Sequence, residues 1–121
     1  AMQRRIDAGG TAGARAAARD VAILAALGAP VNGTVQGFLL TNAPQGGARA
    51  DAGALLALSA AVDRGATGEG ALLAVAALGE GGPAALDTES LERVIRALRG
   101  LRLEDDARRI AVEALLAGAP R

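Results

Sequence analysis

Apolar residues in this chain recur at the three- and four-residue spacing of an α-helix, and the alternation typical of a half-buried strand is nearly absent. Gly and Pro interrupt this pattern and divide it into segments of helix length. The chain has 121 residues, 51% of them hydrophobic and 21% charged, which is typical of one folded domain and not of a disordered chain. The pattern therefore predicts a single all-α domain over residues 11–121, preceded by a flexible N-terminus or tag remnant over residues 1–10.

Stop signals in the first half predict one long helix, one short helix and a connection. The long helix covers residues 11–27 and ends at Gly28. Residues 31–42 predict a short helix that carries Phe38, and the Pro- and Gly-rich residues 43–50 predict a flexible linker. The expected inner side of the long helix consists of Ala14, Ala18, Val21, Ala22, Leu24 and Ala25.

Four further helices are predicted from their capping residues and helix breakers. Asp51 caps one helix, and Asp87 or Thr88 opens another. The expected ranges are 51–63, 67–78, 87–100 and 104–118. The total is five helices and the short sixth one. The last helix opens with Glu104, Asp105 and Asp106, which fit the positive end of a helix better than a calcium site, because they lack the ligand spacing of a calcium loop.

The side-chain inventory excludes most enzymatic mechanisms. The chain contains no His, Cys, Lys, Trp or Tyr, so that a Ser-His-Asp triad, a Schiff-base lysine and a zinc site of Cys or His ligands are all impossible. Its formal net charge is zero, and its apolar stretches are too short for a membrane span. We therefore expect a noncatalytic protein with no cofactor or metal, no nucleic-acid partner and no insertion into a membrane.

The compartment stays open on these grounds. A bias towards Ala, Gly, Arg and Leu is typical of a GC-rich bacterial genome. The absence of Cys is compatible with both the cytoplasm and the periplasm.

An internal repeat organises residues 51–120. A shift of 36 residues aligns Leu55 with Leu91, Leu58 with Val94, Val62 with Leu98, and Ala71 with Ala107. Residues 23–30 also echo residues 74–83, which predicts that residues 11–27 form the second helix of a third, truncated pair. The sequence therefore predicts two complete helix pairs preceded by half of another.

The first copy has the spacing L-x2-L-S-x2-V, followed after eight residues by A-x3-V-x2-L-x4-P. This pattern, from Leu55 to Pro83, resembles the tetratricopeptide (TPR) class of helical-hairpin repeats. The resemblance covers roughly residues 51–120 and, less closely, residues 11–30. It implies stacked antiparallel hairpins in a fragment of an α-solenoid, with Ala71 and Ala107 as the small residues that let paired helices approach each other.

Two functions from different classes are compatible with these observations. The first is a noncatalytic protein-interaction or structural scaffold module, which associates with a protein, a peptide or a second copy of itself. The second is the helical accessory domain of a larger enzyme, similar to the superhelical part of lytic transglycosylases. A catalytic domain elsewhere in the parent gene would favour the second.

Candidate partner-binding residues come from two features of the sequence. Arg93, Arg96 and Arg99 recur every three residues, and together with Arg109 they form a basic stripe suited to an acidic peptide or a phosphate. The alternative is a solvated face on which these residues pair with neighbouring carboxylates. Phe38, the single aromatic residue, is a candidate partner anchor or, alternatively, a packing residue of the short helix.

Overall fold

A computed structural model of the chain describes residues 14, 16–30, 32–34, 36 and 47–117. Within these residues it has five main helices and no strand, which confirms the all-α class. Helix α1 covers residues 16–26, and the others are α2 (Ala52–Arg64), α3 (Thr67–Leu78), α4 (Thr88–Gly100) and α5 (Glu104–Ala117). Residues 14, 33, 34 and 36 are also helical, whereas Phe38 lies outside the described residues.

Two of the helices begin at the predicted capping residues. The Asp51 carboxylate accepts a hydrogen bond of 2.8 Å from the backbone N–H of Ala54 at the start of α2. The Asp87 carboxylate accepts one of the same length from Ser90 at the start of α4. Each bond satisfies a backbone amide that has no partner within its helix, which is why these helices start where the sequence predicted.

Three helices end in the same hydrogen-bond motif, a Schellman turn. Two backbone hydrogen bonds close each turn, and in each the N–H of the first residue named donates to the carbonyl oxygen of the second. They are Gly28–Ala25 and Ala29–Leu24 after α1, Gly65–Val62 and Ala66–Ala61 after α2, and Arg102–Arg99 and Leu103–Leu98 after α4. The chain reverses at Gly28 (φ 100°) after α1, at Gly65 (φ 66°) after α2 and at Arg102 (φ 63°) after α4. The third turn therefore places an arginine in the left-handed region that glycine occupies in the other two.

Helix α4 lies at the centre of the core. It contacts α2, α3 and α5, and three of the five largest fully buried side chains, Leu91, Val94 and Ile95, belong to it. Helix α2 contacts α3, and α4 contacts α5, across short turns, which agrees with the two helix pairs that the internal repeat predicted. Continuous stacking of such pairs into a solenoid remains a prediction.

Helix α1 packs along α4 and runs in the same direction. Arg19 Nη1 donates a hydrogen bond of 2.8 Å to Thr88 Oγ1 near the start of α4. Arg99 Nη1, near the end of α4, donates one of 3.2 Å to the carbonyl oxygen of Ala26 near the end of α1. These bonds join α1 to the second helix pair, formed by α4 and α5. The interpretation of α1 as half of a truncated pair places α1 before the first complete pair, formed by α2 and α3.

The inner side of α1 agrees with the prediction only in part, since Ala14, Ala18 and Ala22 are buried as expected. Ile23 is fully buried, whereas Leu24, expected inside, is 45% exposed. The buried residues of α1 and its approach are Ala14, Ala17, Ala18, Ala22, Ile23 and Ala26. Because apolar residues occur on more than one side of this Ala-rich helix, the position of α4 decides which side is buried.

Residues 47–50, the described part of the predicted linker, are fixed to the chain that enters α4. Ala48 forms a parallel bridge with Leu86, with backbone hydrogen bonds of 2.8 Å to Ala85 and 2.7 Å from Asp87. Gly47 has φ 92°, and a β-carbon there would lie 2.7 Å from the backbone nitrogen of Asp87. This part of the segment is therefore a structural element that joins α2 to α4.

A close approach of α3 to another part of the chain occurs at Gly70, the residue before Ala71. Gly70 is buried, and a β-carbon at this position would overlap Leu101 Cδ1. Ala71 is only half-buried, whereas Ala107 is fully buried, as expected. The tight contact at Gly70 joins α3 to the residue that follows α4, and the roles that the resemblance implied for Ala71 and Ala107 between paired helices remain predictions.

Candidate functional site

A groove separates α2 from α4 on the surface of the molecule, and we call it the α2–α4 groove. It consists of a cavity of about 440 Å³ near the start of both helices and a second of about 310 Å³ further along. Arg93 lines both cavities. The walls include Arg49, Leu55, Leu56, Ser59, Val62 and Asp63 on one side and Glu89, Arg93, Arg96 and Ala97 on the other.

The cationic side chains of this groove differ in how they are paired. Arg93 and Arg49 are exposed, and within the described part of the chain neither makes a hydrogen bond or an ion pair. Arg96 Nη2 lies 3.4 Å from Glu92 Oε1, one helical turn away, with 61% of the Arg96 side chain exposed. Because exposed pairs of this kind contribute little, all three guanidinium groups are accessible to a ligand.

Carboxylates and apolar side chains share the groove with these cations. Asp63 and Glu89 line its two ends, and Leu56, which is 72% exposed, lies beside the larger cavity. The surface therefore offers three guanidinium groups, an apolar contact on α2 and two carboxylates. Such a mixture fits an extended segment with acidic and apolar side chains better than a single small anion.

Arg99 belongs to the packing between α1 and α4. Its guanidinium group donates a hydrogen bond to Ala26 and also lies close to Gly28, where a β-carbon would be 2.9 Å from the guanidinium nitrogens. Its Nε is buried and lies 3.4 Å from Glu104 Oε2, without hydrogen-bond geometry. A cation at the C-terminal end of α1 is favoured by the helix dipole, so that Arg99 acts as a structural contact between helices.

Arg109 lies in a different groove, between α3 and α5. This α3–α5 groove has a volume of about 300 Å³ and is lined mainly by apolar side chains, with Asp106 and Arg109 as its charged members. Its apolar members are Ala71, Ala74, Val75, Leu78, Leu98 and Ile110. The predicted basic stripe is thus divided: Arg93 and Arg96 share one groove, Arg99 supports α1, and Arg109 faces another groove.

Two further expectations concern metals and membranes. Glu104, Asp105 and Asp106 lie in the first turn of α5, as predicted for a helix start. Within the described ranges, no group of three or more His, Cys, Asp or Glu side chains is arranged to hold a metal ion. Among the helices of the same residues, none has the length and apolar character that crossing a membrane requires.

Comparison with protein-family models, with curated proteins and with solved structures gives no match to this chain. The TPR resemblance therefore remains a prediction that rests on residue spacing.

Sequence reasoning missed two parts of these surfaces. The sequence predicts that Arg49 lies in a linker, because the hydrogen bond that fixes Ala50 to Ser90 connects residues far apart in the sequence. The α3–α5 groove had a visible signal, since residues 71–78 are all apolar. A helix without a polar side offers more apolar surface than one neighbouring helix can cover.

Proposed function

We propose that this chain is a noncatalytic protein-interaction module, and that its α2–α4 groove binds a segment of a partner protein with acidic and apolar side chains. The observation that carries this proposal is the state of Arg93. Arg93 lines both cavities, is exposed, and has no ion-pair partner among the described residues.

The chemistry of the groove favours recognition of carboxylates. A guanidinium group presents parallel N–H donors that match a carboxylate, and such charge-assisted bonds are stronger than neutral ones. Arg49 and Arg96 lie on either side of Arg93 along the groove, so that successive acidic side chains of one segment find donors. Leu56 supplies an apolar contact beside them.

The architecture supports a scaffold more than a catalyst. The groove is formed by two helices from different pairs, together with Arg49 and Ala50 of the segment that is bridged to the start of α4. The whole sequence offers only Arg, carboxylate, amide and hydroxyl groups for chemistry. The repeat of the helix pair in the sequence agrees with the helical scaffold that the TPR resemblance implies.

The test is a selection of displayed random peptides on the immobilised chain, followed by fluorescence anisotropy with the enriched peptides. The variant Arg93→Glu/Arg96→Glu reverses two charges of the groove. The matched control, Arg102→Glu/Arg108→Glu, reverses two exposed arginines that do not line it. Circular dichroism is used to check that both variants keep the helical content of the wild type.

We expect the selection to enrich acidic peptides. Their dissociation constant should rise by about 30-fold or more in the Arg93→Glu/Arg96→Glu variant, because two charge-assisted bonds are replaced by repulsion. The control should bind within about threefold of the wild type, since it changes the net charge equally but leaves the groove intact. Equal binding by the two variants, or enrichment of peptides without acidic residues, would contradict the proposal.

A further inference from the structure

Helix α3 is apolar on every side along residues 71–78, yet its outer side is open to solvent. Leu72 is 75% exposed and Val75 is 67% exposed. On α5, Val112 and Leu116 are 50% and 69% exposed, so that α3 and α5 carry four of the six large exposed hydrophobic side chains found in the described residues. A helix without a polar side is normally enclosed, which indicates that something covers this part of the surface.

The charges of the α3–α5 groove indicate what the cover is. Asp106 and Arg109 lie three residues apart on α5, and both line the groove. Both are exposed, and in the described part of the chain neither makes a hydrogen bond or an ion pair. One helix thus presents an unpaired anion and an unpaired cation beside an apolar surface.

Such a pair of charges is complementary to itself. A two-fold rotation that brings Asp106 of one copy to Arg109 of another also brings Arg109 of the first copy to Asp106 of the second, so that both ion pairs form together. The formal net charge of the chain is zero, so that no overall repulsion opposes the approach of two copies. Val75 and Ile110 border the same groove and would lose their contact with water on association.

We propose that the α3–α5 face is a dimer interface that binds a second copy of this chain, with reciprocal Asp106–Arg109 ion pairs beside an apolar centre that contains Val75. This interface goes beyond the proposed function. It uses α3 and α5, whereas the α2–α4 groove contacts its ligand through other parts of the chain. Loss of dimerisation and loss of peptide binding are therefore distinguishable results.

The first experiment measures the mass of the full chain by analytical ultracentrifugation over a concentration series. The variant Val75→Glu places a charge on the proposed interface, and Leu56→Glu is its matched control on α2, at 72% exposure compared with 67% for Val75. We expect the wild type and Leu56→Glu to dimerise alike. Val75→Glu should raise the dimer dissociation constant by about tenfold or more, because association would bury an unpaired carboxylate.

The second experiment tests the reciprocal pairing itself. Asp106→Arg gives a chain with two cations at the interface, and Arg109→Asp gives a chain with two anions. Each variant alone should dimerise less than the wild type, because like charges meet across the two-fold axis. An equimolar mixture should form a mixed dimer with both ion pairs restored, which a merely structural role of these residues would not produce.

Three results would overturn the proposal. A wild-type chain that stays monomeric at every concentration would mean that a second copy does not cover the α3–α5 face. Equal dissociation constants for Val75→Glu and Leu56→Glu would place a dimer interface elsewhere. Failure of the mixture of charge variants to associate more strongly than either alone would exclude the reciprocal arrangement.

Discussion

The hydrogen bond between Ser90 and Ala50 gives the most direct test of how the segment before α2 is held. Ser90 is 4% exposed, and its Oγ accepts a hydrogen bond of 3.0 Å from the backbone N–H of Ala50 in a buried position. The variant Ser90→Ala removes the acceptor and leaves that N–H without a partner in the interior.

The expected magnitude follows from two opposing effects. An unsatisfied buried donor costs about 1–3 kcal/mol, because its bond to water is not replaced. Ala is the better helix former by about 0.5 kcal/mol, which offsets part of the loss because residue 90 lies in the first turn of α4. We expect Ser90→Ala to lower the free energy of unfolding by about 1–2 kcal/mol.

Urea denaturation followed by circular dichroism measures this change, with Ser59→Ala as the matched control. Ser59 is exposed on α2 and makes no hydrogen bond within the described residues, so that its variant should stay within about 0.5 kcal/mol of the wild type. Amide hydrogen exchange adds a local readout, since the Ala50 amide should exchange faster in Ser90→Ala than in the wild type. Equal stability of the two variants, together with unchanged exchange at Ala50, would refute this reasoning.

Two backbone predictions concern residues with positive φ. Gly47→Ala should lower the free energy of unfolding by about 2–4 kcal/mol, because residue 47 has a φ of 92° and the new β-carbon would meet the backbone of Asp87. The control Gly68→Ala should not destabilise the chain, because its β-carbon would meet no atom within 4 Å. Arg102→Gly should raise the free energy of unfolding by about 0.5 kcal/mol, because relief of the left-handed strain at φ 63° exceeds the added freedom of glycine in the unfolded chain. Thermal denaturation monitored by circular dichroism tests both predictions; a stable Gly47→Ala or a destabilised Arg102→Gly would contradict them.

The helices themselves were predictable because their signals are local. Asp51 and Asp87 bind amides three residues ahead of them, and Gly28 and Gly65 reverse the chain at the ends of their own helices. Such contacts involve neighbours in sequence, so that residue types and spacing are sufficient to place them. The pairing of neighbouring helices also follows from short connections, which allow few arrangements.

The candidate site was only partly predictable for the same physical reason. Helical spacing places Arg93 and Arg96 on one side of α4, and the structure places both in the α2–α4 groove. The same spacing predicted that Arg99 belongs with them, but the approach of α1 directs its guanidinium group to the carbonyl of Ala26. Sequence periodicity gives the direction of a side chain around its own helix and contains no information about which neighbour lies there.

Composition and local pattern thus determined the all-α class, the helix ends and the exclusion of most catalytic chemistry. Tertiary structure decided that α1 packs along α4, that residues 47–50 are bound to the start of α4, and that Asp106 and Arg109 lie beside an apolar groove. Each of these outcomes depends on contacts between residues that are distant in sequence or on surface left uncovered by the neighbouring helices. The free energy of these contacts depends on how the helices pack together and not on any single segment.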